Sequence, residues 1–367
     1  MTAPYVTVLI TTYNYGHFIE EAIDTVLSQD FPPAELEILV VDDGSTDDTG
    51  ERINSYGSRI RYLYKPNGGQ ASALNIGIAN ARGEIVVLLD ADDLFLPGKL
   101  AKVSAAFRQN PTLGMVYHPL LEWNLRTNER RNRGLPLVSG DMRTEPERFF
   151  SYIPHPTSCI ALRRSCLGPL LPIPNELRMM ADCFLVQLIP LLSPIVALPD
   201  TLVLYRIHGK NNASFDTPDA SLKFRRKQYE ENCVLFHAMR RWLAKNNYNY
   251  WQKHPPVRFF IDRWYMHKKD EEFQIDSPSR LHFFWFMVRQ NLANSPVQAR
   301  KVTIFNCLVA LAALPFGYAK RNEVYRWRSK ILEVTTERFR KLFGRDSAIV
   351  TRSGQEPERH VHDDGSD

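Results

Sequence analysis

No run of about 20 apolar residues, the length a helix needs to span a bilayer, occurs in this chain. Cysteine is scarce. Cys159, Cys166, Cys183, Cys233 and Cys307 are scattered, odd in number and without CxxC spacing. That excludes a disulfide scaffold and a cysteine zinc site and points to reduced thiols in the cytosol. Neither charge dominates: a net +5 argues weakly for an anionic partner and not for nucleic acid. No internal repeat is visible. The N-terminus has no basic region followed by an apolar core, so a secretory leader is not expected. Two phosphate cradles are also missing. No GxGxxG follows the first strand and no GxxxxGK[ST] occurs, so dinucleotide-binding and P-loop readings lack their basis.

What is present suits a globular enzyme: 367 residues, 44% hydrophobic and 24% charged, enough for one catalytic domain and an appendage. Ile85 to Asp93, IVVLLDADD, organises the chain. Its apolar run reads as a strand buried on both faces of a parallel sheet. It ends in Asp90, Asp92 and Asp93, where ligands of parallel sheets gather. Acids this close need a cation between them, and oxygen ligands suit Mg2+ or Mn2+. The plainer alternative is a surface turn leading into the helix after Pro97.

Earlier strands read at Val6–Thr11, Glu37–Val41 and Ile60–Tyr64, and helices at His17–Ser28 and Gln70–Ala81. Ser45 or Thr46 is placed to cap the helix after the second strand, and Arg82-Gly83 to close the second helix. This alternation predicts an α/β fold, a mostly parallel sheet flanked by helices. The loops TTYN, DDGS and DADD then share one sheet edge. There Asp43 can accept hydrogen bonds from a base or ribose while Asp92 holds a metal on the phosphates.

In order and spacing, TTYN (Thr11 to Asn14), VVDDGSTDDT (Val40 to Thr49), NGG…ALNIGIANARGE (Asn67 to Glu84) and LLDADD (Leu88 to Asp93) resemble the family 2 glycosyltransferases. The resemblance implies a GT-A fold over residues 1–214 and a nucleotide-diphospho-sugar donor, a UDP-sugar first among them. It implies that Thr12, Tyr13, Asn14 and Asp43, with Asn67, Gly69 and Gln70, hold the nucleotide-sugar. Asp90, Ala91 and Asp92 then form the DxD element, with Asp90 on the ribose and Asp92 on Mn2+ or Mg2+.

Further on, Pro154 to Ser158 leads into Cys159–Arg163, on residues alone a loop and edge strand. The resemblance makes Thr157 and Ser158 wall candidates for the acceptor pocket. Arg178 to Leu192 reads as a helix whose single acid, Asp182, is by itself only a helix-start charge. Family members carry a Glu-Asp pair there whose Asp is the base. Here the pair is Ala181-Asp182, so the resemblance implies Asp182 as base without its acidic neighbour. LVLYRIH at Leu202 to His208 resembles the family's YRxH, which makes His208 a candidate for the diphosphate or metal. The alternative is a partly exposed loop histidine.

Residues 215–345 read as a mainly helical region, with a helix over Ser221–Ala244, an aromatic segment Leu281–Val288 and an apolar stretch Val302–Tyr318 flanked by basic residues. That stretch either lies on an anionic membrane surface or packs on the catalytic domain or a second copy of the chain. The polar tail, residues 346–367, is expected to be disordered. The expected activity is an inverting transfer of a sugar to a glycan or lipid-linked acceptor, in the cytoplasm or peripherally on the inner face of a membrane. A nucleotidyltransferase and a non-catalytic nucleotide-sugar or glycan binder are the alternatives. Long spans and a QxxRW motif are both missing, which favours single-sugar addition in polysaccharide or glycoconjugate assembly.

Overall fold

The computed structural model describes residues 3–133, 137–143, 155–209 and 222–248. All lie in the first of two compact units, Met1–Cys307. The expectations for 210–221, for 281–288, for 302–318 and for the tail fall outside the described residues.

In chain order the strands are β1 (Val6–Thr12), β2 (Leu36–Asp42), β3 (Arg61–Tyr64), β4 (Ile85–Asp90), β5 (Leu94–Phe95), β6 (Met115–Tyr117), β7 (Leu120–Asn124), β8 (Arg130–Arg133), β9 (Ile160–Arg163), β10 (Ile195–Ala197) and β11 (Val203–Ile207). The α-helices are α1 (Gly16–Leu27), α2 (Thr49–Asn54), α3 (Gln70–Asn80), α4 (Lys99–Gln109), α5 (Ala181–Leu188) and α6 (Leu222–Lys245). The main sheet runs β10-β6-β9-β4-β1-β2-β3. Every pair in it is parallel except the two made by β9. This is the expected mostly parallel sheet flanked by helices.

Alternation along the central strands sorts the core into two layers. Val8, Ile10, Val40, Val87 and Leu89 face α1 and α4, meeting Ile19, Ile23, Leu100 and Phe107. Leu9, Leu39, Val41, Val86 and Leu88 face the other way, meeting Leu74 and Ile78 of α3 and Phe184 and Leu185 of α5. α6 joins this second layer: Leu235, Ala238, Met239, Trp242 and Leu243 follow helical spacing and are buried in it. The helix read as the start of a separate C-terminal region is thus continuous with the catalytic core.

Three local expectations change. The Cys159–Arg163 segment is no edge: β9 sits inside the sheet, antiparallel to both β4 and β6. Ser45 and Thr46 do not cap α2. The Ser45 hydroxyl accepts from Asn14 N–H (2.8 Å), and Asp47 Oδ1 accepts from Thr49 N–H (3.1 Å) instead. Gly83 does not end α3, which stops at Asn80. It lets the chain pass β1, since a Cβ there would lie 2.4 Å from Thr7 N.

A second sheet, β5-β11-β7-β8, begins directly after Asp93. The DADD loop therefore joins the two sheets. Thr11 lies opposite Asp90, and Thr12 opposite Asp42, so the β1, β2 and β4 loops end level at one edge.

Candidate active site

The β1 and β2 loops are laced together. Thr46 N–H donates to Asn14 Oδ1 (2.8 Å), and Asn14 takes a left-handed backbone, φ 55°. Tyr13 beside it is 46% exposed, a free aromatic face at this edge. Thr12 is buried, and its hydroxyl has no hydrogen-bond partner among the described residues.

Asp43 is the hub that ties the β2 loop to the loop after β3. Its carboxylate accepts from Gly68 N–H (2.9 Å), Gly69 N–H (2.7 Å), Asn67 Nδ2 (3.2 Å) and the Lys65 ammonium. A carboxylate has about four acceptor sites, so these donors fill it. A nucleotide that bonds to Asp43 has to displace one of them. The same loop reaches the base candidate. Gly69 needs its φ of 85°, and a Cβ there would sit 2.7 Å from Arg178 Cα. Gln70 N–H donates to Arg178 O (2.9 Å), and Gln70 Oε1 accepts from Ala181 N–H (2.8 Å). The first turn of α5, with Asp182, is thus held by the β3 loop.

Asp90, Asp92 and Asp93 bring carboxylate oxygens within 4.8 Å of one another. They are not equivalent. Asp93 is buried and engaged, accepting from Ser158 Oγ (2.6 Å) and Arg206 N–H (3.1 Å). Asp92 Oδ2 is 3.0 Å from His208 Nε2, so the structure brings the two predicted metal ligands together. Ala91 points into the apolar core, 3% exposed. An all-oxygen set with one imidazole beside it fits Mg2+ or Mn2+. Burial and then Asp92's charge hold both Asp90 and Asp93 well above the usual carboxylate range. Burial and the same acids raise the Tyr15 phenol.

Asp182 sits in the first turn of α5, buried. The Thr157 hydroxyl donates to it at 2.9 Å. One residue on, Ser158 Oγ accepts from Asp90 N–H (3.0 Å) while donating to Asp93. The Thr157–Cys159 turn thus ties the acid loop to the base candidate. Lys99 backs it, fully buried, donating to the Ser158 carbonyl and lying 3.7 Å from the Phe95 ring centroid. Burial lowers its pKa to about 7.

Burial raises the Asp182 pKa against its hydrogen bonds. A raised acid disfavours the folded state once ionised: stability falls as pH rises from the ordinary carboxylate range through the raised value. Asp182→Asn keeps the shape and removes that cost. In chelator at neutral pH the variant is expected to be more stable than the parent, the gap closing in acid. Denaturant titrations across pH check this, and the difference between the two proteins cancels other groups.

Sequence reasoning missed Tyr15, Lys99 and Arg206. Arg206 is buried, spans from β11 to Phe18 of α1 (4.4 Å to the ring centroid) and donates to the Asp92 carbonyl and to Glu21. Its place in YRIH was the available signal. Among the described residues, no helix is long and apolar enough to cross a membrane.

Residues 7–167 match the model of glycosyl transferase family 2. An uncharacterized glycosyltransferase of Nostoc sp. is 34% identical over 214 residues, 56% of this chain and 66% of that one. Another, of Rickettsia typhi, is 46% identical over 98 residues, 27% of this chain and 30% of that one. The chain thus spans just under two thirds of the first relative and under a third of the second. The crystal structure of S. aureus TarS 1-349 in complex with UDP aligns with a TM-score of 0.50 and 17% identity, over 88% of this chain and 91% of that one, and shows the same fold. With its motif loops level on one edge of a mostly parallel sheet, the chain has the GT-A fold, and its residues 7–167 are a glycosyl transferase family 2 domain.

Proposed function

We propose that this protein transfers a sugar, with inversion, from a nucleotide-diphospho-sugar to a hydroxyl of a glycan or lipid-linked acceptor. The observation that carries the reading is the Thr157–Ser158 turn, in which Thr157 donates to Asp182 while Ser158 bonds to Asp90 N–H and to Asp93. It sets a buried base beside the group that receives the leaving diphosphate. Asp182 takes the acceptor proton as the acceptor oxygen bonds to the anomeric carbon. The bond from that carbon to the diphosphate oxygen breaks on the opposite face, and its electrons leave with the nucleotide diphosphate. A raised pKa suits a carboxylate to this work near neutral pH. Asp92 and Asp90, with His208, would hold a Mn2+ or Mg2+ ion. Bound there, the ion neutralises charge on the diphosphate. The Tyr13 face, the β1 loop and the loop held by Asp43 receive the nucleotide. UDP-sugars are the donors to test first, because the TarS structure of the same fold holds UDP. A cytoplasmic setting, and a role in polysaccharide or glycoconjugate assembly, belong to the same proposal, as does contact of residues 215–345 with a membrane or a second copy.

The test is a thermal-shift panel of nucleotide diphosphates and diphospho-sugars, each with Mn2+ and with chelator, followed by nucleotide release with an acceptor library. A ligand at 100 times its Kd stabilises by about 2.7 kcal/mol. A shift with one nucleotide that depends on metal, and release that depends on acceptor, support the reading. No shift with any nucleotide overturns it in favour of a non-catalytic binder.

A further inference from the structure

The β7–β8 hairpin is a basic strip that starts at the catalytic edge, and the function just proposed gives it no task. β11 pairs with β7 in parallel, Ile207 opposite Asn124, and Leu125 N–H donates to Ile207 O (3.0 Å). The hairpin turn therefore begins level with the residue before His208. Arg206, Trp123 and Arg130 are successive register partners across β11, β7 and β8, so their side chains share one face. The row starts at buried Arg206, which donates to the Asp92 carbonyl. It passes half-buried Trp123 and ends at exposed Arg130, two strand spacings or about 10 Å away.

Its chemistry is specific. The Arg130 guanidinium lies 5.2 Å from the Trp123 ring centroid, and the indole N–H is pinned to Asn128 Oδ1 at 2.9 Å. Arg126 in the turn and Arg131 on β8 are exposed as well. Glu122 faces Arg131 in register, and Glu129 sits in the turn. Over residues 120–133 four arginines stand against two glutamates, a net +2. An oriented indole offers apolar area to a sugar ring, and guanidinium groups pair with carboxylate, sulfate or phosphate. A membrane-seeking hairpin would carry exposed apolar side chains. Among the described residues the exposed large hydrophobics are Tyr13, Tyr64 and Leu137, none of them in this hairpin.

We infer that the hairpin is an acceptor subsite for an acidic saccharide, with Trp123 as platform and Arg126 and Arg130 as the charges. This rests on the glycosyltransferase reading and adds the acceptor's chemical class.

The experiment measures binding of hexasaccharides of matched length to the full chain at low salt: neutral ones against ones bearing carboxylate, sulfate or phosphodiester groups. The acidic compounds are expected to bind about tenfold tighter, an advantage that shrinks as salt rises. Which anionic group gains most identifies the source. The double variant Arg126→Ser, Arg130→Ser should remove the advantage, and the corresponding double lysine variant should keep most of it. Equal binding of neutral and acidic compounds overturns the inference, as does an advantage that survives the serine variant. So does charge-dependent binding to anionic vesicles with none to the oligosaccharides. The nucleotide thermal shift is read on the same preparations. Nucleotide binding without acidic preference defeats this inference alone, and absence of nucleotide binding defeats the glycosyltransferase reading.

Discussion

Asp182→Asn is expected to cut acceptor-dependent transfer by about a thousandfold while the nucleotide-induced thermal shift stays in place. General-base catalysis contributes about a hundredfold to ten-thousandfold, and a thousandfold loss is the middle of that range. No other carboxylate among those placed here is positioned to replace it: Asp93 is engaged by Ser158 and Arg206, and Asp90 and Asp92 are the proposed metal ligands. The amide preserves the Thr157 hydrogen bond, because its oxygen still accepts. It cannot take a proton. The loss should therefore fall on kcat, with the donor KM little changed. If the chelator experiment finds the same substitution stabilising, inactivity by unfolding is excluded. Single-turnover assays at saturating donor decide it: turnover within tenfold of the parent removes Asp182 from the role of base.

Asp92→Ala is expected to abolish the metal-dependent part of the nucleotide shift and to lower kcat/KM by at least about a hundredfold, the scale of losing one charge-stabilising contact. The signature lies in the sign of the stability change. Asp92's charge is the next cause, after burial, of the raised Asp90 and Asp93 acids. Removing it relieves repulsion, so in chelator the variant should melt no lower than the parent. With Mn2+ and nucleotide the order reverses, because the parent alone gains from binding. The side chain also leaves His208 without its carboxylate at 3.0 Å. Melting curves in four conditions, with and without metal and nucleotide, read both signs at once. An undiminished Mn2+-dependent shift in the variant moves the metal away from Asp92.

The sheet edge was legible because its determinants are local. A buried parallel strand is a short apolar run, and each run here ends in a polar loop within a few residues. Asp92 and His208 were both named, although 116 positions separate them, through two motif fragments. What escaped depends on contacts between distant segments. Nothing in IALR distinguishes an interior strand from an edge, and only pairing with β4 and β6 makes β9 central. Lysine is rarely fully buried, so no pattern singled out Lys99. Thr157 and Ser158 were flagged as pocket walls. Their hydroxyls also link Asp182 to the acid loop, a contact across 65 positions for Ser158 and Asp93. Gly83 looked like a helix stop because Arg-Gly often is one. Its reason is the backbone of β1, on the far side of a turn.

The interior position of β9 also sets the smallest piece of this protein that can stand alone. A fragment ending after α4 would keep TTYN, DDGS and DADD, yet it would leave β4 with one flank bare. That flank is a flat run of Ile, Val and Leu with unpaired backbone groups, the kind of edge that recruits another chain. Donor loops and acceptor half therefore cannot be exchanged as independent cassettes in this fold. Any graft that changes the acceptor has to retain β6 and β9 along with the donor half, and confine its changes to the loops and hairpin those strands carry.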